Sequence, residues 1–286
     1  MKKIFKLPLV LVSIGLFLTG CDNNNTSSTD SIDNNTNTST TDSTIIEEKS
    51  IFDPGDYYDS ISDSLTGNAL MSALTNLNNT KRKTIIGYDK LRYFYQRCDV
   101  DWVDKTNRKI VGFYDNSLVG PGWDSAKTWN REHVWPKSRG GDKVDGDAHM
   151  TRPASVNANS SRANAAYASS GAYDPGCEGV ANYRGIAARI IFYCAIADTS
   201  LKIVDSTNLS GKTMGKLSDL LKWNLEYLPS TSETAALELR VEQNRNYVIQ
   251  THENGQGNRN PFIDHPEYAC KIWGSTNSNT KKICGM

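Results

Sequence analysis

Apolar residues recur at intervals of three and four in two neighbouring segments in the first half of the chain. Residues with this spacing lie on one face of an α-helix, so each segment predicts a helix that packs through its apolar face. The first segment carries Leu70, Met71, Leu74 and Leu77, and the second carries Tyr88, Leu91, Phe94 and Tyr95.

Two later segments also have helical patterns. GIAARIIFYCAIA at 185–197 is apolar on nearly every side, which predicts a buried helix, and LSDLLKWNLEYL from Leu217 is amphipathic. KIVGFYD at 109–115 is rich in β-branched and aromatic residues and predicts a strand, while Gly-Pro-Gly at 120–122 predicts a loop. Helices outnumber strands without regular alternation, so the predicted class is α+β, a mostly helical mixed domain.

The N-terminus has the pattern of a targeting signal. MKKIFK is cationic, and the apolar run after it is too short to span about 30 Å of hydrocarbon as a helix. Leu18-Thr19-Gly20-Cys21 resembles the bacterial lipobox, which implies cleavage before Cys21 and lipid attachment to its sulfur. We therefore expect a signal peptide at 1–20 and a lipid-anchored protein outside the cytoplasm.

Composition divides the rest of the chain. Residues 21–50 are mostly Asn, Ser, Thr and Asp, and such a segment cannot bury enough apolar surface to order itself, which predicts a disordered tether. A folded domain at 51–275 and a C-terminal tail at 276–286 are expected to follow. From Ile51 onward the chain has 28 basic and 26 acidic residues. This balance differs from the basic surface of most DNA-binding domains, so any nucleic-acid contact must come from a local patch.

Five cysteines remain after Cys21 is set aside. Outside the cytoplasm they can form disulfides, and their odd number leaves at least one free or paired between chains. No C-x-x-C motif occurs, which argues against a structural zinc site. Cys194 lies in an apolar run and is expected to be a buried thiol, and Cys270 with Cys284 is one candidate pair. The five are Cys98, Cys177, Cys194, Cys270 and Cys284.

Candidate chemistry is concentrated in two segments. His133 directly follows Glu132, and further along the chain Asn159 and Arg162 are three residues apart, a spacing that places both on one face of a helix. A carboxylate and an amide oxygen suit a hard divalent cation, and a guanidinium can bind a phosphate. A neutral imidazole can accept a proton from water near pH 7. Together these groups are typical of metal-assisted phosphodiester hydrolysis.

The order and spacing of the motifs resemble the bacterial endonuclease I family, secreted nucleases with a ββα-metal (His-Me finger) site. The family pattern is R-E-H-x-x-P, then D-x-H-x-x-x-P, five residues, and N-x-x-R-x-N. Further similarity lies at Tyr57-Tyr58, RGIAARIIFY, LLKWN and QGNRNPFIDHPE, so the resemblance covers about residues 55 to 275. The motif matches are Arg131, Glu132, His133, Pro136, Asp147, His149, Pro153, Asn159, Arg162 and Asn164.

The resemblance implies roles for individual residues. His133 would be the general base, and Glu132 and Asn159 would hold one divalent cation, Mg²⁺ with Mn²⁺ or Ca²⁺ as alternatives. Asp147 and His149 would orient the site from behind it. Neighbours in a strand face opposite sides, so Glu132 and His133 can serve one site only at a strand end or a bulge.

The phosphate contact is less defined by the resemblance. Arg162 is the catalytic candidate from the second motif, and four further residues are candidates for contact with substrate. Met150 and Thr151 depart from the residues that many relatives carry after D-x-H, which affects packing behind the ligands. The substrate-contact candidates are Arg131, Arg139, Lys143 and Arg189.

We therefore expect a non-specific, metal-dependent nuclease that cleaves DNA and leaves 5′-phosphate ends, with RNA as an alternative substrate. The chain has no base-reading motif and no sign of a protein partner. One alternative is a surface-binding lipoprotein on a catalytically degenerate nuclease fold. Another is hydrolysis of a different phosphodiester.

Overall fold

The computed structural model describes residues 50–100, 108–176, 182–229 and 237–286, and residues Glu48–Met286 form one compact unit. The predicted signal peptide, Cys21, Cys177 and all but the last residue of the tether lie outside the described residues. Within the described ranges, no helix combines the length and the apolar composition needed to cross a bilayer.

Helices dominate the described part of the chain, and the strands are short. The helices are α1 Gly67–Lys81, α2 Tyr88–Cys98, α3 Val156–Arg162, α4 Arg184–Ala197, α5 Leu217–Glu226, α6 Leu237–Thr251, α7 Pro261–Asp264, α8 Glu267–Trp273 and α9 Ser278–Ile283. The strands are β1 Ile110–Val111, β2 Leu118–Val119, β3 Trp129–His133, β4 Thr151–Ser155, β5 Lys202–Ile203 and β6 Thr213–Met214. This mixture confirms the α+β class.

Helix α4 is at the centre of the main hydrophobic cluster. Every residue from Gly185 to Ile196 is buried, as its uniformly apolar sequence predicts, and the helix packs against α1, α5 and α7. Each fully buried Leu, Ile or Phe contributes about 1.5–3 kcal/mol to stability. The predicted helices α1, α2 and α5 are also confirmed. Most of their apolar side chains are buried, but Met71 and Tyr88 are partly exposed, and Tyr93 and Leu225 are exposed.

A second hydrophobic cluster lies between α2, α6 and the start of β3. Trp129, the first residue of β3, belongs to this cluster, whereas Val134 and Trp135, which follow the strand, belong to the main cluster. Strand β3 is therefore fixed by apolar burial at both ends. The residues between them, including Glu132 and His133, have little freedom to shift.

Strands β3 and β4 form an antiparallel pair, and α3 follows β4 directly. Glu132 pairs with Arg152 and His133 with Thr151. Two short 3₁₀ helices, Lys137–Arg139 and Gly141–Val144, lie in the connection. Ser155 ends β4 and caps α3, since its side chain accepts a hydrogen bond from the backbone N–H of Ala158. The chain thus runs strand, strand, helix through both predicted motifs.

The strand predicted at 109–115 is wrong in extent, because only Ile110–Val111 is a strand. The chain then turns, with positive φ angles of 82° at Tyr114 and 54° at Asn116. Positive φ is uncommon for residues other than glycine and is often associated with functional sites. The apolar content that suggested a longer strand instead serves burial of Phe113 and Tyr114.

The C-terminal residues 276–286 contain helix α9 and are tied to α8 by a disulfide between Cys270 and Cys284. The candidate pairing is therefore confirmed, and the predicted tail is an ordered part of the compact unit. Cys98 and Cys194 are both buried free thiols, as predicted for Cys194.

Candidate active site

The two faces of β3 carry different parts of the first motif. Asn130 and Glu132 contact side chains of α3, at Asn159 and Arg162. Arg131 and His133 lie on the other face, against Tyr88 at the start of α2. The alternation of a regular strand produces this division. His133 is the last residue of β3, and its side chain lies on the face opposite Glu132. The convergence of the two side chains on one cation stays a prediction.

Glu132 is a buried carboxylate with only 2% of its surface exposed. Its Oε1 accepts a hydrogen bond from the Tyr114 hydroxyl at 2.8 Å and lies 3.4 Å from Nε of Arg162. Burial raises the pKa of Glu132, while the charge of Arg162 and the Tyr114 hydrogen bond oppose that rise. The carboxylate is thus held in one orientation by a cation and a hydroxyl.

Arg162 is fully buried and donates within the protein. Its Nη2 donates to the carbonyl oxygen of Val134 at 2.7 Å, its Nη1 to that of Ala163 at 2.8 Å, and its Nε to the hydroxyl of Tyr167 at 3.2 Å. The sequence predicted that Arg162 contacts a phosphate, whereas in the structure its guanidinium contacts these carbonyl oxygens and Glu132. Arg162 therefore acts here as a positioning residue.

Tyr114 and Tyr167 were not among the sequence candidates. Their hydroxyl oxygens are 2.5 Å apart, and both side chains are buried beside Glu132 and Arg162. Tyr114 lies in the turn at positive φ, and Tyr167 comes shortly after α3. Because neither is in a spaced motif with the ligands, only the fold brings them to the carboxylate. The unusual turn around Tyr114 has no signal in the hydrophobic pattern.

Asn159 contacts the same face of β3. Its Nδ2 donates to Oδ1 of Asn130 at 2.6 Å, which leaves Oδ1 of Asn159 as the atom that can bind a cation. Asn159 and Arg162 both reach β3 from α3, in agreement with the predicted helical face. Asn130 is thus a further residue that sequence reasoning missed, although its position two before Glu132 in a strand is a usable signal.

The environment of the His133 side chain differs from that of Glu132. Its side chain is 13% exposed, and its Nε2 has no hydrogen-bond partner among the described residues, lying 3.8 Å from Oδ2 of Asp145. Lys137 Nζ binds that same Oδ2 at 3.0 Å. Burial, with the nearby Lys137 charge, lowers the pKa of His133 to about 4. The imidazole is therefore neutral near pH 7, and its Nε2 can accept a proton.

The remaining substrate-contact candidates are in different environments. Arg139 is partly exposed and its Nε donates to the carbonyl oxygen of Asn164 at 3.3 Å, while Lys143 is exposed. Arg189 is fully buried in α4 and forms an ion pair with Glu242 of α6, with Nη2 to Oε2 at 2.5 Å. Arg139 and Lys143 can reach a substrate, whereas the structure puts Arg189 in the core.

Asp147 and His149 are buried and belong to a hydrogen-bond network with the segment 256–258. Asp147 accepts from the Tyr193 hydroxyl at 2.6 Å and from Nε2 of Gln256 at 2.9 Å. Nε2 of His149 is 3.2 Å from the carbonyl oxygen of Asn258. Among the described residues, none of these contacts reaches Glu132 or His133 directly. The network fixes the chain that leads into β4.

The donors around Glu132 suit a hard cation. Among the described residues, no three His, Cys, Asp or Glu side chains form a cluster that could hold a metal. Glu132 and Asn159 instead offer carboxylate and carboxamide oxygens, the donor types that Mg²⁺ prefers, and Mg²⁺ usually keeps several water ligands. Two protein oxygens are sufficient for such an ion, so the residues fit it.

Comparisons with known proteins show a nuclease family. The sequence profile of the endonuclease I family matches residues 66–179, a range that contains β3, β4 and α3. An extracellular ribonuclease of Bacillus amyloliquefaciens is 35% identical over 236 residues, covering 73% of this chain and 75% of that protein. An extracellular ribonuclease of Bacillus subtilis (strain 168) is 32% identical over 244 residues, covering 77% and 79%. No solved structure matches.

Proposed function

Because the chain belongs to the endonuclease I family and is a nuclease, we propose that it is a metal-dependent endonuclease that cleaves RNA and DNA without sequence specificity. The single observation that carries the proposal is the packing of helix α3 against strand β3, which places Asn159 of the helix beside Asn130, two residues before Glu132 in the strand. The named activity of both relatives supports RNA as a substrate. DNA is included as the substrate that the resemblance to the endonuclease I family implies.

In the proposed mechanism, Glu132 and Asn159 would hold one divalent cation, with Mg²⁺ favoured by their oxygen donors. Such a cation would supply positive charge against the negative charge that develops on the phosphate and on the departing oxygen. Arg162 and Tyr114 oppose the rise in the pKa of Glu132 that burial causes and orient its carboxylate, and Asn130 orients the amide of Asn159.

His133 is the proposed general base. Its neutral Nε2 takes a proton from a water molecule as the water oxygen forms a bond to phosphorus. The bond from phosphorus to the 3′-oxygen breaks, and that oxygen takes a proton from solvent, leaving 5′-phosphate and 3′-hydroxyl ends. Arg139 and Lys143 are the proposed phosphate contacts, because both are accessible and neither has a carboxylate partner within ion-pair distance among the described residues. Such contacts weaken as salt concentration rises.

We further propose that the protein acts outside the cytoplasm, held to the membrane by lipid on Cys21. The extracellular relatives support secretion, and the sequence pattern at 18–21 supports the anchor. Expression of wild type and Cys21→Ser in a bacterial host, followed by detergent phase separation, tests the anchor. The substitution is expected to move the protein from the detergent phase to the aqueous phase, and unchanged partition contradicts the proposal.

Nuclease activity is tested by incubating the full chain with plasmid DNA and with RNA, in Mg²⁺ or Mn²⁺ and in EDTA. Cleavage is expected with either metal and not with EDTA. His133→Ala is expected to lower the rate by about 10²–10⁴-fold, while the matched control His265→Ala leaves it within a few-fold of wild type. Intact substrates after incubation with wild type would refute the nuclease. Full activity of His133→Ala would refute the mechanism alone.

A further inference from the structure

Aromatic and arginine side chains alternate across the surface next to His133. The ring centroids of His133 and Tyr88 are 5.0 Å apart. The guanidinium carbon of Arg131 lies over the same Tyr88 ring, 3.6 Å from its centroid. Arg131 is also 4.9 Å from the ring of Trp123. Tyr88, Arg131 and Trp123 thus form a continuous stack that begins at the proposed base.

The stack continues onto α2. The guanidinium of Arg92 lies 5.8 Å from the Trp123 ring and 5.0 Å from the Tyr93 ring. We name the five side chains the stacked ladder. In order from His133 they are Tyr88, Arg131, Trp123, Arg92 and Tyr93.

The positive charge of the stacked ladder is poorly neutralised. Among the described residues, Arg92 has no carboxylate partner, and Arg131 pairs only with Asp89, at 3.1 Å. The Asp89 side chain is 82% exposed, so water screens this pair strongly, whereas the Arg131 side chain is 9% exposed. The Nε atoms of Arg92 and Arg131 have no hydrogen-bond partner in the described structure. Of the two, Arg92 is the guanidinium without a carboxylate partner among the described residues, and such a group attracts an anion, for which phosphate is well suited.

The far end of the stacked ladder opens into a groove. Tyr93 is 60% exposed, which is unusual for a large aromatic side chain, and it lines a cavity of about 480 Å³ with Lys90 and Arg97. Lys90, Tyr93 and Arg97 are three and four residues apart on α2, so they share one face of the helix. Two further cations therefore flank an aromatic face that is open to solvent.

We propose that the stacked ladder binds a single-stranded nucleic acid as it runs from the active site, with a base stacked on Tyr93 and phosphates on Arg92, Lys90 and Arg97. This inference rests on the proposed function. Exposed aromatic rings among cations are the features that bind unpaired strands, because every base has a face that can stack. In a duplex, neighbouring bases cover those faces. The stacked ladder therefore favours unpaired RNA or DNA over duplexes.

Binding of the full chain is measured in EDTA, so that no cleavage occurs, by fluorescence anisotropy with a labelled strand of about a dozen nucleotides. Tyr93→Ala is expected to weaken binding of RNA and DNA single strands by roughly tenfold, and Tyr93→Phe to restore it. Arg92→Ala is expected to reduce the magnitude of the slope of log affinity against log salt by about 1, which corresponds to one lost phosphate contact. Leu228→Ala, an exposed apolar residue after α5, is the matched control.

The outcomes separate this inference from the proposed function. In cleavage assays, Tyr93→Ala is expected to raise KM for the single strand while kcat stays constant. Wild-type cleavage together with undiminished strand binding by Tyr93→Ala overturns the stacked ladder and leaves the nuclease intact. Equal weakening of duplex and single strand also overturns it. Absence of wild-type cleavage contradicts the nuclease instead.

Discussion

Replacing Arg162 with methionine removes the one cation that contacts Glu132 among the described residues. Methionine fills much of the arginine volume, so the change mainly removes charge and hydrogen bonds. Nε of Arg162 lies 3.4 Å from Oε1 of Glu132, and both side chains are buried. Removal therefore leaves a carboxylate at 2% exposure with a single hydroxyl donor, that of Tyr114, as its side-chain partner.

The magnitude follows from these contacts. Breaking a buried ion pair by removing one partner costs about 3–5 kcal/mol, because the other charge stays buried without compensation. The substitution also leaves the carbonyl oxygens of Val134 and Ala163 without their hydrogen bonds from Arg162. These unpaired carbonyls account for about 1–3 kcal/mol of this cost. The part due to Glu132 is then about 2 kcal/mol. It should disappear when Glu132 is changed to glutamine, which has no charge to leave unpaired.

Urea unfolding, followed by tryptophan fluorescence in EDTA, measures all four proteins of this double-mutant cycle. Arg162→Met is expected to lower the free energy of unfolding by about 3–5 kcal/mol alone and by about 1–3 kcal/mol in the Glu132→Gln background. Loss of the cation raises the pKa of Glu132 further above its unfolded value. The folded form then binds the proton more strongly, so the deficit of Arg162→Met should shrink as pH falls from 7 towards 4.5.

The control is Lys222→Met, which breaks an ion pair of 3.6 Å with Glu226 on the surface of α5. Water screens this pair, since the two side chains are 56% and 45% exposed, so a cost of at most about 1 kcal/mol is expected. Equal costs of Arg162→Met in the wild-type and Glu132→Gln backgrounds would refute the reasoning. They would mean that Arg162 supports the backbone of the α3 region and does not compensate the Glu132 charge.

Three other predictions concern the scaffold of the site. Burial lowers the pKa of His149 from 6.5 to about 4. As pH falls through this range the unfolded state binds the proton first, so the free energy of unfolding should fall by about 3 kcal/mol. His149→Gln should flatten the dependence of the urea midpoint on pH, and an unchanged slope contradicts this. Reduction of the Cys270–Cys284 disulfide, which spans 14 residues, should cost about 3 kcal/mol, measured as the urea midpoint with and without reductant. Arg189→Ala should lower the free energy of unfolding by about 3–5 kcal/mol, because Glu242 stays buried without a partner. At a temperature where the variant is folded, kcat on single strands should be unchanged. A selective loss of kcat would mean that Arg189 contacts the substrate.

Sequence pattern alone determined the elements whose burial is periodic or continuous. The run at 185–197 has no polar face, so it can only be a central helix, and the structure agrees. The spacing of Asn159 and Arg162 likewise fixes a shared helical face, because the pitch of a helix does not depend on the rest of the fold. Such local geometry is contained in the order of residue types.

Only the tertiary structure decided what each polar side chain contacts. Glu132 and His133 are neighbours in sequence, yet one is buried against Arg162 and the other faces Tyr88, since strand alternation separates them and the surrounding elements differ. The role of Tyr114 depends on a turn at positive φ that its apolar sequence does not indicate. Sequence spacing reports position along one element, whereas contacts between elements depend on how the hydrophobic clusters bring distant segments together.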